Sequence, residues 1–234
     1  MTKPSNPLCV ALDTPDVARA RSLARVLKPH VGFMKLGMEF FYAAGVAGYE
    51  AVAAEGMPIF LDLKLHDIPN TVKQGLTSLM RFRPAILNVH AQGGLAMMQA
   101  ARAAVTGETK LIAVTLLTSL GDDDIWATGL DRARGTAAHA QALAQLARQA
   151  GLDGVVCSPP DLHGIRAVCG PDFLTVVPGI RPDQTDAHDQ KRIASPQAAR
   201  AAGADILVIG RAITGAADPA RAAALGAAAR AKAE

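Results

Sequence analysis

The chain alternates between short apolar segments and helix-like segments, and it completes this alternation eight times. Strictly alternating strands and helices predict a parallel sheet, because each helix returns the chain to the start of the next strand. Eight such units in 234 residues predict an α/β fold, a single-domain (β/α)8 TIM barrel over residues 1–234. A doubly wound open sheet is the alternative. The predicted strands are 8–13, 32–37, 59–65, 85–90, 110–118, 154–158, 173–177 and 205–209.

Composition limits the classes of protein to which the chain can belong. Half of the residues are hydrophobic, and a formal net charge of +3 arises from 24 basic and 21 acidic residues. This small excess, without a run of five or six like charges, argues against a nucleic-acid partner. No apolar run approaches the roughly 18 residues that a membrane span needs, so we expect no membrane partner.

The cysteines and the N-terminus bear on location. Cys9, Cys157 and Cys169 are an odd number without CxxC spacing, which disfavours both a disulfide framework and a zinc site. The first seven residues contain no apolar core segment and therefore do not resemble a signal peptide. We expect a cytoplasmic protein.

The third predicted strand carries two charges, Asp62 and Lys64, on one face and aliphatic residues on the other. A solvated surface strand is one interpretation, because buried charges are costly unless they are paired. The other is a polar cluster at the mouth of a closed sheet. The continuation favours the second, since Pro69 ends the strand and Asn70 or Thr71 can cap the next helix. Barrels place their chemistry at this end of the strands.

The first two strands repeat the pattern. Asp13 and Lys35 are in phase with small or aromatic residues, and aliphatic residues occupy the opposite face. We therefore expect Asp13, Lys35, Asp62 and Lys64 to point into the barrel mouth, with Asp67 just past the strand end. Groups of alternating sign can neutralise one another within hydrogen-bond distance. Such an array offers an ammonium proton beside a fixed negative charge.

Glycine–arginine pairs follow the seventh and eighth strands: Gly179 with Arg181, and Gly210 with Arg211. One pair alone is equally well explained by a turn with a surface arginine. Barrels commonly bind phosphate at these two loops, where glycine admits close approach and arginine grips two oxygens. Two pairs therefore favour a phosphate site.

Other features have simpler explanations. His90 is interpreted as a lining or hydrogen-bonded core histidine, the 92–94 segment as a plain strand-to-helix connection, and the acidic run 122–124 as a solvated loop. No HExxH, P-loop, GxGxxG or GxSxG motif is present, and we predict no metal site.

The segment 62–71, Asp-Leu-Lys-Leu-His-Asp-Ile-Pro-Asn-Thr, resembles the signature of the orotidine 5′-phosphate decarboxylase family. A related group of magnesium-dependent sugar-phosphate decarboxylases and aldolases has a similar Asp-x-Lys-x-x-Asp core. The Ile-Pro-Asn-Thr extension favours the pyrimidine enzymes. Further matches extend along essentially the whole chain: Ala11-Leu12-Asp13, Lys35, Leu117-Thr118-Ser119, Pro178-Gly179-Ile180-Arg181-Pro182, Asp189-Gln190-Lys191-Arg192 and Gly210-Arg211.

The resemblance implies loss of carbon dioxide from orotidine 5′-monophosphate to give UMP, the last step of de novo pyrimidine synthesis. It implies no cofactor and a homodimer with its sites at the interface. Lys64 would protonate the ring carbon, Asp62 would lie against the departing carboxylate, and Lys35 would reach toward the ribose. The remaining implied contacts are Asp13 at the ribose, Asp67, Ile68 and Thr71 in the neighbouring subunit's site, Thr118 or Ser119 at the pyrimidine edge, Pro178 in the binding site, and Arg181, Gln190, Gly210 and Arg211 at the phosphate.

Three alternatives remain. A magnesium-dependent sugar-phosphate decarboxylase or synthase would need the metal and reject a nucleotide. A non-catalytic phospho-ligand binder would have no need of a buried array of alternating charges. An RNA-binding protein would need a basic stripe, which the sequence lacks. We also expect the polar stretch 183–192 to act as a lid over the ligand.

Overall fold

The computed structural model describes residues 4–181 and 194–228. Within them the chain forms a closed barrel of eight parallel strands in sequence order, and β1 pairs with β8 to close it. The strands are β1 Leu8–Ala11, β2 Phe33–Gly37, β3 Ile59–Leu65, β4 Ile86–His90, β5 Lys110–Val114, β6 Gly154–Val156, β7 Leu174–Val177 and β8 Ile206–Ile209. The predicted (β/α)8 barrel is confirmed.

Helices follow every strand and form the outer layer of the barrel. They are α1 Val17–Leu27, α2 Met38–Ala53, α3 Pro69–Leu79, α4 Gly94–Ala104, α5 Asp122–Ala127, α6 Gly135–Gln149, α7 Leu162–Cys169, α8 Pro196–Ala201, α9 Arg211–Thr214 and α10 Pro219–Ala228. None of the helices within the described ranges combines the length and the apolar character needed to cross a membrane.

The start of α3 differs from its prediction. The helix begins at Pro69 with Ile68 at the N-cap position, and neither Asn70 nor Thr71 caps it. Proline suits the first helical position, because the N–H that it lacks would have no partner within the helix. The strand-to-helix connection is therefore one residue tighter than the sequence pattern indicated.

The connection after β5 was also predicted incorrectly. The strand ends at Val114 and not at residue 118, and the segment predicted to be irregular contains α5. The Asp124 carboxylate accepts a hydrogen bond of 2.8 Å from the Gly121 N–H, which satisfies a donor at the helix start. The acidic run 122–124 fills the first turn, where negative charge interacts favourably with the helix dipole.

The hydrophobic core has two layers, separated by the strand backbones. The outer layer lies between strands and helices and includes Val10, Met34 and Leu61. The inner layer fills the barrel and includes Cys9 and Phe60. The alternation predicted for the first three strands is thus confirmed. Further inner-layer members are Ala11, Ile86, Ile112, Val114, Val156, Val176, Ile206 and Val208.

The inner layer changes from apolar to charged toward the C-terminal ends of the strands. Lys35 is level with Ala11 on one side and with Phe60 on the other, and Asp62 is level with Gly37. The lysine and the aspartate therefore lie directly above an apolar floor. This arrangement places the charged groups at the barrel mouth, where they remain accessible.

Candidate active site

Four of the predicted charged residues form a continuous chain at the barrel mouth. The Lys35 ammonium lies 3.1 Å from an Asp13 carboxylate oxygen and 3.3 Å from Asp62 Oδ2. The Lys64 ammonium lies 2.6 Å from Asp62 Oδ1. Asp62 thus stands between two lysines, and the order Asp13–Lys35–Asp62–Lys64 alternates in sign throughout.

Lys35 and Asp62, the two buried members of this array, are held in their charged forms by their neighbours. Burial opposes the charge on Lys35, but Asp62 and Asp13 outweigh it and raise the pKa of its ammonium. Burial likewise works against the Asp62 carboxylate. The charges of Lys35 and Lys64, with hydrogen bonds from Lys64 and Asn88, nevertheless bring the pKa of Asp62 below its ordinary value. Lys35 and Asp62 are therefore both charged at neutral pH.

Lys64 has an unusual backbone. Its φ angle is +52°, in the left-handed region that residues other than glycine rarely occupy. The β3–β4 register jumps here: Leu61 pairs with Leu87, but the next pair is Leu65 with Val89. Three residues of β3 therefore face only Asn88 on β4, and at this bulge the Lys64 ammonium lies 2.6 Å from Asp62 Oδ1.

Asn88 and Gly37 are two site residues that the sequence analysis missed. Asn88 is fully buried, and its side chain bonds both Asp62 and the Lys64 N–H. The sequence feature that could have identified Asn88 is its position two residues after Ile86, which places a polar residue on the inner face of an otherwise apolar strand. A Cβ at Gly37 would lie 3.1 Å from the Lys35 ammonium nitrogen and 3.4 Å from an Asp13 oxygen. Glycine thus leaves room for the array.

The charged array Asp13–Lys35–Asp62–Lys64 lines a cavity of about 270 Å³ at the C-terminal end of the barrel. Among the described lining residues, two lysines and two arginines outnumber two aspartates, so the cavity has a formal excess of positive charge. This balance suits an anionic ligand. The lining residues are Ala11, Asp13, Lys35, Phe60, Asp62, Lys64, Thr118, Val156, Val176, Pro178, Gly179, Arg181, Val208, Gly210 and Arg211.

The predicted phosphate residues meet on one side of this cavity. Pro178 and Arg181 follow β7, while Gly210 and Arg211 lie where β8 gives way to α9. The Arg181 guanidinium donates a 3.1 Å hydrogen bond to the Ile180 carbonyl. Thr118 also lines the cavity, whereas Ser119 does not. Gln190 and the predicted lid 183–192 lie outside the described residues.

Asp67, Ile68 and Thr71 are exposed at the start of α3 and do not line the cavity of their own chain. The Asp67 carboxylate accepts a 2.7 Å hydrogen bond from the Ile68 N–H. The expectation that Asp67 could neutralise the lysines directly is therefore not met within one chain.

His90 ends β4 beside the charged array. Its ring packs against that of His66 at a centroid distance of 5.3 Å, and its buried Nδ1 has no hydrogen-bond partner among the described residues. Burial, with the nearby His66 and Lys64, lowers the pKa of His90 to about 4. The ring is thus a neutral packing group. Nowhere in the described ranges do three or more histidine, cysteine or acidic side chains converge as metal ligands.

Comparisons with known proteins agree with this geometry. The model of the orotidine 5′-phosphate decarboxylase / HUMPS family matches residues 6–225. The orotidine 5′-phosphate decarboxylase of Rhodospirillum rubrum is 52% identical over 94% of this chain and 92% of its own length. That of Paramagnetospirillum magneticum is 50% identical over 93% and 95%, respectively.

A solved structure extends the comparison to three dimensions. The crystal structure of orotidine 5′-phosphate decarboxylase from Lactobacillus acidophilus superposes with a TM-score of 0.82 at 37% identity, covering 96% of this chain and 99% of that one. Family model, relatives and structure all cover nearly the whole chain. The chain therefore belongs to the orotidine 5′-phosphate decarboxylase / HUMPS family.

Proposed function

We propose that this protein is an orotidine 5′-phosphate decarboxylase, which converts orotidine 5′-monophosphate to UMP and carbon dioxide without a cofactor. The observation that carries the proposal is the Lys35–Asp62–Lys64 array, with Lys35 and Asp62 buried, in the same cavity as Arg181 and Arg211. A nucleotide needs a phosphate grip at one end and a reacting group at the other, and this cavity offers both. Two relatives that are about 50% identical are named orotidine 5′-phosphate decarboxylase.

In the proposed reaction Lys64 acts on the pyrimidine ring. The bond between the ring carbon and the carboxylate breaks, carbon dioxide leaves, and the electron pair stays on the ring carbon. The Lys64 ammonium then gives that carbon a proton and is reprotonated from water. An ammonium held beside the reaction centre both stabilises the carbanion and supplies the proton.

Asp62 has a second part in the proposed reaction. It accepts from the Lys64 ammonium at 2.6 Å, so a substrate carboxylate near Lys64 would lie against an ionised Asp62. Repulsion between the two carboxylates would weaken the bond to be broken. Asp62 would in addition order the two lysines.

The other assignments follow the cavity. Asp13 and Lys35, joined at 3.1 Å, would bind the ribose hydroxyls, with Thr118 or Ser119 at the pyrimidine edge. Arginine pairs well with phosphate because its planar fork donates two parallel hydrogen bonds. The proposed binding residues of the phosphate end are Pro178, Arg181, Gln190, Gly210 and Arg211.

We further propose a homodimer in which Asp67, Ile68 and Thr71 complete the site of the neighbouring subunit. Ile68 is 67% exposed, and Met38, Tyr42 and Leu117 are further large hydrophobic residues exposed in the segments after the strands. Exposed apolar side chains of this kind suit burial against a second copy. Mixing inactive Lys64→Ala and Asp67→Ala proteins tests this, since a mixed dimer regains one intact site. No recovery of activity would contradict a shared site.

The proposed place of the enzyme is the last step of pyrimidine nucleotide synthesis in the cytoplasm. The three cysteines are buried and none of them forms a disulfide, which suits a reducing compartment. Cell fractionation with an antibody to the protein checks the location. Recovery outside the cytoplasmic fraction would contradict it.

The test of the function is turnover of orotidine 5′-monophosphate, followed by ultraviolet absorbance, with and without a chelator. Conversion to UMP at the same rate in both conditions supports the proposal. The HUMPS branch of the family name makes magnesium-dependent sugar-phosphate chemistry the alternative. No conversion of the nucleotide, with magnesium-dependent turnover of a sugar phosphate, would replace the proposal with that alternative.

A further inference from the structure

Asn88 is a fully buried amide in the centre of β4, and both ends of its side chain reach the charged array. Its Nδ2 donates a 2.7 Å hydrogen bond to Asp62 Oδ1, the oxygen that also accepts from the Lys64 ammonium. Its Oδ1 accepts a 2.9 Å hydrogen bond from the Lys64 N–H. One amide therefore connects the carboxylate to the backbone of the proposed proton donor.

The chemistry of the two partners fixes which way this amide points. A carboxylate only accepts and a backbone N–H only donates, so the nitrogen must face Asp62 and the oxygen must face Lys64. The reversed orientation would break both hydrogen bonds and place two acceptors together. The side chain is thus locked by its neighbours on both sides.

The hydrogen bond to the Lys64 N–H compensates for an irregular backbone. A left-handed φ at a residue other than glycine is unfavourable and persists only where the surroundings hold it. At the β3–β4 bulge, the Asn88 side chain occupies the position opposite residues 62–64. Its Oδ1 accepts a hydrogen bond from the Lys64 N–H, which the shifted register removes from the regular β3–β4 hydrogen-bond ladder.

We infer that Asn88 is a positioning residue for the proposed decarboxylation, acting through Asp62 and Lys64 rather than on the substrate. It holds one Asp62 oxygen against the Lys64 ammonium and holds the Lys64 backbone in the conformation that directs the ammonium into the cavity. The inference rests on the proposed function for its effect on turnover. Its effect on Asp62 itself does not depend on that function.

The test compares Asn88→Leu, similar in size but apolar, with Thr115→Val. Thr115 is fully buried after β5 and donates a 3.0 Å hydrogen bond to the Val156 carbonyl, so its variant loses a buried hydrogen bond without touching the array. Asn88→Ser, smaller and still polar, keeps the test available where Asn88→Leu does not fold. Kinetics are measured across pH, and the Asp62 carboxyl carbon is titrated by NMR after selective ¹³C labelling of aspartate.

The expected result for Asn88→Leu is a kcat about 10- to 100-fold lower, the effect of losing a hydrogen bond to a charged group, with a smaller change in KM. The Asp62 titration and the acid limb of the pH profile should move to higher pH, because the carboxylate loses a donor. The other titratable groups around Asp62 and Lys64 are unchanged by the substitution. They are Lys35, Lys64, Asp13, Cys9, His66 and His90.

The outcomes separate this inference from the proposed function. A wild-type protein that does not decarboxylate the nucleotide overturns the proposed function, and the Asp62 titration then still tests the link between Asn88 and Asp62. An unshifted titration overturns the inference even if kcat falls, since the amide would then act through packing alone. A kcat within twofold of Thr115→Val, in an active wild-type background, also overturns it.

Discussion

The two ends of the barrel differ in both size and chemistry. The cavity at the N-terminal end measures about 880 Å³, against about 270 Å³ for the one at the C-terminal end. The larger cavity is lined by aromatic and aliphatic groups such as Phe33, Tyr49 and Phe82. The smaller one contains the chain of alternating charges. The larger cavity and the array of alternating charges thus lie at opposite ends of the same barrel.

The chemical difference between the two cavities follows from where their charged groups lie. At the N-terminal end the cavity-lining Lys110 pairs at 3.6 Å with Asp153, which also binds Arg102 at 2.8 Å. That cluster ties strand starts to a helix end. At the C-terminal end Lys35 and Asp62 are buried and still line the cavity. Burial strengthens their fields, because little water screens them. A small charged cavity is therefore the better candidate for catalysis.

The largest predicted effect separates Lys64, which lines the C-terminal cavity, from Lys110, which lines the N-terminal one. Lys64→Ala should lower kcat by at least about 10⁴-fold, since it removes both the proposed proton donor and a cation beside the carbanion. Lys110→Ala, at the opposite end, should leave kcat within about twofold. Steady-state assays on both purified variants make the comparison. Similar losses in the two would contradict a functional difference between the ends.

Arg211→Ala should have the next largest effect and weaken the phosphate end of the C-terminal cavity. We expect kcat/KM for the nucleotide to fall about 10- to 100-fold, the effect of losing a charge-assisted hydrogen bond. Decarboxylation of orotidine, which lacks the phosphate, should be unaffected by the same change. Equal losses with both substrates would show that Arg211 does not act on the phosphate.

A stability prediction concerns the N-terminal end. Phe82 packs on Tyr49 at 4.9 Å and on Phe41 at 6.5 Å between ring centroids. Phe82→Ala should lower the free energy of unfolding by about 2 kcal/mol, less than for a fully buried phenylalanine. Turnover of the folded variant should not change. Urea denaturation and kinetics measure the two quantities, and Phe82→Leu should be milder. A lost kcat with normal stability would assign this end a catalytic role.

The smallest predicted effect is the pH dependence contributed by His90. Its pKa of about 4 lies below the ordinary 6.5, so the unfolded chain binds more protons between these values. Stability from the neutral ring is therefore full above about pH 6.5 and declines as pH falls toward 4. His90→Leu should lose less stability on acidification than the wild type does.

Urea denaturation at several pH values between 4 and 7 measures this difference. His163→Gln, which changes an exposed residue of α7, is the control and should follow the wild type. Parallel curves for His90→Leu and the wild type would mean that His90 titrates normally in the folded protein.

The barrel was predictable from the sequence because its signals are local. Alternation within β1, β2 and β3 separates the inner from the outer layer, and the same phase places Lys35 and Asp62 on one face. The start of α3 was mistaken because two polar residues offered plausible caps, while Pro69 itself begins the helix. Local patterns locate an element more reliably than its first residue.

The missing parts of the site depend on contacts between strands. Asn88 acts across the β3–β4 pair, and the register jump that gives Lys64 its left-handed φ becomes visible only once the strands are paired. Asp67 was grouped with the array because it is near in sequence. In the structure it is exposed before the start of α3 and does not line the cavity of its own chain. Sequence spacing thus identified the charged residues but not the one amide that links them.

The most direct test of the central claim is a crystal structure with the product UMP bound. We expect UMP in the C-terminal cavity, with its phosphate at Arg181 and Arg211 and the pyrimidine beside Lys64. The larger N-terminal cavity should contain no nucleotide. UMP bound at the N-terminal end, or at the C-terminal end with the pyrimidine turned away from Lys64, would contradict the account.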